Sequence, residues 1–161
     1  MLTIRGATES DSDAIWQIFR EVVREGNAFL SDETMSRRDA LQLFVSDGVI
    51  SYVATVGANV VGAYNVKRNH PGRGSHVANA TYMVAAEYRG RGIGSKLAEH
   101  SLQVAKEQGY RAMQFNAVVS TNSAAVALWH SLGFETVGTI PQGFADPNHG
   151  LVDVFIMHKQ L

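Results

Sequence analysis

Residues 89–95 read Arg-Gly-Arg-Gly-Ile-Gly-Ser, and behind them Ile93, Leu97, Ser101, Val104 and Ala105 recur at helical spacing until Gly109. Ahead of them, Ala78–Ala85 has the texture of a strand. A strand that runs through three alternate glycines into a helix start leaves several backbone N–H groups without intrahelical partners, at the positive end of the helix dipole. Such a junction attracts an anion. Glycine at 90, 92 and 94 removes the Cβ atoms that would keep a diphosphate off the backbone, and Arg89, Arg91 and Lys96 add positive charge beside it. Two other phosphate motifs are excluded by spacing. The glycines run G-x-G-x-G near mid-chain, not G-x-G-x-x-G after a first strand, and Gly94-Ser95-Lys96 has the wrong order for a P-loop.

The rest of the chain alternates the same two periods. Leu2–Arg5 reads as a short strand; Ser10 and Asp13 form a capping pair ahead of Ile15, Ile18, Phe19 and Val22, and Gly26-Asn27 stops that helix. Ser36 and Asp39 start a second, shorter helix that leads to Asp47-Gly48, with loop between the two at 27–35. Val49–Val66 is a hairpin turning at Gly57-Ala58-Asn59, and Asn69–Ser75 is loop. Met113, Phe115, Ala117 and Val119 alternate within a strand at Ala112–Val119, and Asn122 caps a helix carrying Ala125, Leu128, Trp129 and Leu132 up to Gly133. Two last strands, Phe134–Ile140 and Leu151–His158, flank a turn-rich segment with Pro141, Gly143, Pro147 and Gly150. The order predicts one α/β domain over residues 1–161, a mixed and mostly antiparallel sheet of six to seven strands flanked by about four helices.

Composition narrows the function classes. Fourteen Lys plus Arg against fifteen Asp plus Glu leaves a net charge of −1, which offers no excess of cations for a run of nucleic-acid phosphates. With no cysteine, thiolate metal sites and covalent acyl-cysteine intermediates are both excluded. The N-terminal residues lack the order of a secretory signal and no apolar run reaches membrane-spanning length, so a cytoplasmic protein without membrane or nucleic-acid partners is expected.

The pattern Arg89-x-x-Gly92-x-Gly94 after Tyr82-Met83-Val84, followed by Asn122-x-x-Ala125-x-x-Leu128-Trp129-x-x-Leu132-Gly133-Phe134, resembles the GNAT superfamily of acyl-CoA-dependent N-acyltransferases. The resemblance covers nearly the whole chain in its order of strands and helices. It implies acetyl-CoA as donor, no metal, and a small amine as acceptor. It also implies that the loop Arg89, Gly90, Arg91, Gly92, Ile93, Gly94 and Ser95 wraps the pyrophosphate, that backbone at Tyr82, Met83 and Val84 meets the pantetheine arm, and that Asn122 touches that arm. The Val84 N–H would be the oxyanion donor.

One position departs from the pattern. Many relatives carry a tyrosine where this chain has Trp129, and an indole cannot protonate the departing thiolate; core packing is the expected duty of Trp129. A thiol of reference pKa about 8.5 still leaves tolerably as thiolate near neutrality. A base is harder to assign: Glu87, Glu33, His70 and His76, or a chain of waters linking one of them to the amine, are all candidates. Asn116 is expected on the acceptor side, by similarity to a GNAT branch that acetylates proline analogues such as azetidine-2-carboxylate. The expected activity is direct transfer of acetyl to the amine of a small molecule; a peptide or protein acceptor, or a non-catalytic acyl-CoA-binding module, are the alternatives. A homodimer through an exposed sheet edge or the Pro141–Gly150 segment is compatible with the sequence.

Overall fold

The computed structural model describes residues 1–161. Its strands are β1 (Leu2–Gly6), β2 (Ile50–Val56), β3 (Asn59–Arg68), β4 (Val77–Val84), β5 (Ala112–Val119), β6 (Glu135–Asp146) and β7 (Gly150–Gln160). The helices are α1 (Ser12–Glu25), α2 (Arg37–Gln42), α3 (Ile93–Glu107) and α4 (Ser123–Ser131). All seven strands join one sheet in the order β1-β2-β3-β4-β5-β7-β6. Every neighbouring pair is antiparallel except β4 and β5, which run parallel and match only at Val77/Ala112 and Ala78/Met113. Beyond those two pairs β4 stays on β3 as far as Val84 while β5 stays on β7, so the sheet opens between them.

Each face of the sheet buries one helix layer. Ile15, Ile18, Phe19 and Val22 of α1 are buried with Val53, Ala63 and Met83, which is the stripe their spacing predicts. On the other face Leu97 and Ala98 of α3 join Tyr64, Met113, Phe115, Trp129 and Met157. Each large apolar side chain buried this way contributes about 1.5–3 kcal/mol. Gly62 sets how close α3 approaches: a Cβ there would lie 3.0 Å from the Met83 carbonyl oxygen and 3.1 Å from Leu97 Cδ1. No helix is long and apolar enough to cross a membrane.

Three expectations shift. The first helix is capped by Thr8 and Asp11 rather than by Ser10 and Asp13: the Asp11 carboxylate accepts from the Thr8 N–H (2.8 Å) and is held by both guanidinium nitrogens of Arg5 at 2.8 Å, so a short 3-10 turn precedes α1. The alternation in β5 breaks after Phe115, where a register slip carries Val118 into the core in place of Ala117. The segment expected as turn-rich is mostly strand, for β6 runs on to Asp146 through an irregularity between Ile140 and Phe144 where Gln142 has φ +52° and its N–H bonds the Asp153 carboxylate. Pro141 is tolerated because β6 is an edge strand with a bulge there.

The β6–β7 turn reaches back across the sheet. Asp146 accepts from Thr121 Oγ1 (2.7 Å), just ahead of α4, and Pro147 packs on the end of α1, where a Cβ on Gly26 would lie 2.8 Å from its Cγ.

Candidate active site

Antiparallel pairing of β3 with β4 determines which backbone groups face the opening. The Ala85 N–H donates to the Val61 carbonyl, and the register pairs Ala63 with Met83. Stepping by two along an antiparallel ladder, the N–H and C=O groups of Tyr82 and Val84 therefore point away from β3, toward β5. β5 has already diverged at that level, so they face a cleft.

At one end of that cleft lies the glycine-rich loop. Gly90 and Gly92 have φ of +72° and +76°, the left-handed region that other residues avoid, and nothing lies within 4 Å of where their Cβ atoms would be. The first intrahelical bond of α3 runs from the Lys96 N–H to the Gly92 carbonyl, so the N–H groups of Ile93, Gly94 and Ser95 precede the ladder. Ile93 turns its side chain into the core and offers only its backbone. The arginines are themselves anchored: Arg89 pairs with Glu25 and its Nε donates to the Val84 carbonyl (3.1 Å), while Arg91 donates to the Glu87 carbonyl and lies over the Tyr88 ring. Val84, Arg89, Gly90, Gly92 and Ile93 line a cleft of about 390 Å³; Arg91 and Ser95 do not, and the Ser95 hydroxyl turns to Glu99.

A second cleft of about 390 Å³ continues from the first, and the two share Ala28, Tyr82, Gly94 and Asn122. Asn122 caps α4 by accepting from the Ala125 N–H (3.3 Å) and borders both clefts, so the capping and lining positions coexist. Phe19, Phe29, Leu30 and Leu43 make the apolar wall of the second cleft, with Asn79 and Asn116 opposite. Asn116 lies at the β5 irregularity and its Nδ2 donates to Asn69 Oδ1 (2.7 Å); Asn79 donates to the same oxygen (3.3 Å), and Gln114 donates to Asn116 Oδ1 (3.0 Å).

No Asp, Glu, His, Lys or Arg side chain lines the second cleft. The Tyr82 hydroxyl bonds Ser101 Oγ (2.6 Å) and burial pushes its pKa up, so it stays protonated on the α3 side. Trp129 is 7% exposed and packs among Tyr82, Phe115 and Phe134 with ring centroids 4.4–5.5 Å apart. None of Glu33, His70, His76 or Glu87 lines the second cleft. No cluster of three or more His, Asp or Glu side chains is placed to hold a metal.

Asn65 was not marked out by the sequence reading. It is fully buried in β3, where its Nδ2 donates to the Leu43 carbonyl (2.5 Å) and its Oδ1 accepts from the Thr81 N–H (2.8 Å). It thus ties the loop after α2 to β4, and both Leu43 and Thr81 line the second cleft. The available signal is an amide between Tyr64 and Val66 that interrupts the apolar run from Val60 to Val66.

The model of the acetyltransferase (GNAT) family matches residues 13–134, more than half of the chain. This chain belongs to the acetyltransferase (GNAT) family. A GCN5-related N-acetyltransferase from Kribbella flavida has the same fold as this GNAT chain at a TM-score of 0.95 and 42% identity, covering 99% of this chain and 98% of that one. The N-acetyltransferase aca1 of Schizosaccharomyces pombe is 36% identical over 61% of this chain and 47% of its own, so this GNAT chain spans about half the length of that relative. A Salmonella typhimurium L-methionine sulfoximine/L-methionine sulfone acetyltransferase is 28% identical over 88% of this chain and 84% of its own.

Proposed function

We propose that this GNAT chain moves acetyl from acetyl-CoA to the amine of a small molecule, an amino acid or related amine, by direct attack in a ternary complex. The observation that carries the reading is the meeting of two unlike clefts at the β4–β5 opening, one ending on the anion-attracting loop and the other uncharged. The Arg89–Ser95 loop and the free N–H groups of α3 would hold the pyrophosphate. Backbone at Tyr82 and the amide of Asn122 would meet the pantetheine arm, while the Met83 N–H and C=O, expected there from the sequence, are turned to Ala63 on β3; the Val84 N–H would donate to the thioester carbonyl oxygen as negative charge grows there. Acetyl-CoA supplies an acyl group on a thiolate leaving group. The amine nitrogen forms the new bond to the acyl carbon, the C–S bond breaks, and the amine proton leaves to water. No cysteine is present to carry the acyl group in between.

The Salmonella relative, whose name gives free amino-acid analogues as acceptors, supports the small-molecule side of the reading. Cytoplasmic location belongs to the same proposal. A homodimer through the β6 edge, which exposes Val137 and Ile140, is compatible with it and is read out by molar mass in solution. The test is release of CoA thiol from acetyl-CoA over a panel of amino acids, polyamines, aminoglycosides and peptides. Release far above background hydrolysis with small amines is the expected result; release with peptides alone would shift the acceptor class, and none with any amine would leave an acyl-CoA-binding module.

A further inference from the structure

None of the twenty residues lining the second cleft is Asp, Glu, Lys, Arg or His. That composition acts on an incoming amine in two independent ways. First, a free amino acid brings a carboxylate, and a carboxylate taken out of water without a counter-ion is strongly disfavoured. By register Lys67 lies on β3 opposite Asn79 and Arg68 opposite Ala78, and neither lines the cleft. Arg20, Arg24 and Arg37 line a different recess, which shares only Phe19 with this cleft, together with Asp32 and Glu33.

Second, no side chain in the cleft can take a proton, so the amine must enter already neutral. An alkyl amine of pKa about 10.4 is neutral in only ~0.04% of molecules at pH 7, whereas an α-amino group beside an amide carbonyl, of pKa about 7.8, is neutral in ~14%. The ratio of several hundred favours the second kind of amine before any contact is made.

The polar wall has matching chemistry. Asn116 and Asn79 both donate to Asn69, and Gln114 backs Asn116, which sets several neutral amides in one network. Side-chain amides present a donor and an acceptor together, the complement of another carboxamide. Opposite them, Phe19, Phe29, Leu30 and Leu43 suit an aliphatic or aromatic side chain.

We propose that the acceptor is the α-amino group of an apolar amino-acid amide, in which the carboxylate is replaced by a neutral carbonyl. The inference rests on the small-amine acetyltransferase reading above and narrows it. A peptide N-terminus shares this chemistry, and the assay separates the two sources.

CoA thiol release is measured for leucine, leucinamide, isopentylamine and a leucine-led tetrapeptide, each from pH 6 to 9. Leucinamide is expected to exceed leucine by more than tenfold in kcat/KM. Its rate should level off near pH 8, whereas isopentylamine should keep gaining about tenfold per pH unit. Asn116→Ala should raise KM for leucinamide by about 2–10-fold, the worth of one neutral hydrogen bond, and leave KM for isopentylamine nearly unchanged. A tetrapeptide that outruns leucinamide supports the amide chemistry and assigns it to a chain terminus. Leucine matching or outrunning leucinamide, or isopentylamine outrunning it at pH 7, overturns the inference while the small-amine reading stands. No release with any of the four, despite acetyl-CoA binding by calorimetry, overturns both.

Discussion

The two clefts that meet at the β4–β5 opening are made of different material. The one at the glycine-rich loop is bordered largely by backbone, left-handed glycines and N–H groups ahead of a helix ladder, with Arg89, whose side chain is already held by Glu25 and the Val84 carbonyl. The other is bordered by side chains from α1, the loop after it, β4, β5 and α4, none of them charged. Backbone constrains sequence tightly, because a positive φ or a close approach admits few residues. A side-chain wall can be rebuilt with many residues of similar size and polarity. As the proposed donor site, the first cleft therefore poses the same problem to any chain that binds acetyl-CoA, and the second, as the proposed acceptor site, is where acceptor choice would be free to vary.

The comparison can be broken most severely at Gly92. Gly92→Asp places a carboxylate where the free N–H groups of α3 draw in an anion; nothing lies within 4 Å of the new Cβ, but φ +76° adds about 1–2 kcal/mol of strain, so the expected outcome is a somewhat less stable protein, its fold checked by circular dichroism, with no measurable acetyl-CoA binding by calorimetry. Unchanged affinity would mean the loop is not the donor site.

Asn65→Leu is the matching test on the side-chain cleft. It strands the buried Leu43 carbonyl and Thr81 N–H, which should cost about 2–6 kcal/mol in urea denaturation at one to three per unsatisfied group. Because both partners border the second cleft, acceptor KM should rise further than the Kd for acetyl-CoA; equal effects on both would show that the two clefts are not separable.

The smallest effect belongs to a contact that borders neither. The Arg5 guanidinium and the Thr8 N–H hold the Asp11 carboxyl at about 2, below its unfolded value of about 3.9. A depressed native pKa means that the unfolded chain binds more protons between those values, so this contribution is fully present above about pH 4 and is lost as pH falls toward 2. Asp11→Asn should flatten the fall of Tm in that window and leave both clefts' ligand affinities at pH 7 unchanged.

The same contrast explains what could be read in advance. The loop at 89–95, the α1 stripe and the two-residue turn at Gly57-Ala58 are local, and each is visible in a window of a few residues. The cap on α1 was misplaced because the competing carboxylate, Asp11, gains its advantage from Arg5, a residue on another element. The length of β6 was hidden by Pro141 and Gly143, whose usual meaning as turn residues is overridden where an edge strand bulges. The amide network around Asn69 joins three separate elements, so no short window contains it.

β5 touches β4 at only two residue pairs and otherwise rests on β7, the final strand of the sheet. Until β7 has formed, the far wall of the opening therefore has almost nothing to lie against, although the glycine-rich loop and α3 precede it in the chain. Such a long-range closure is slow compared with local helix formation. On the reading proposed above, the donor loop would form early in folding and the acceptor cleft late.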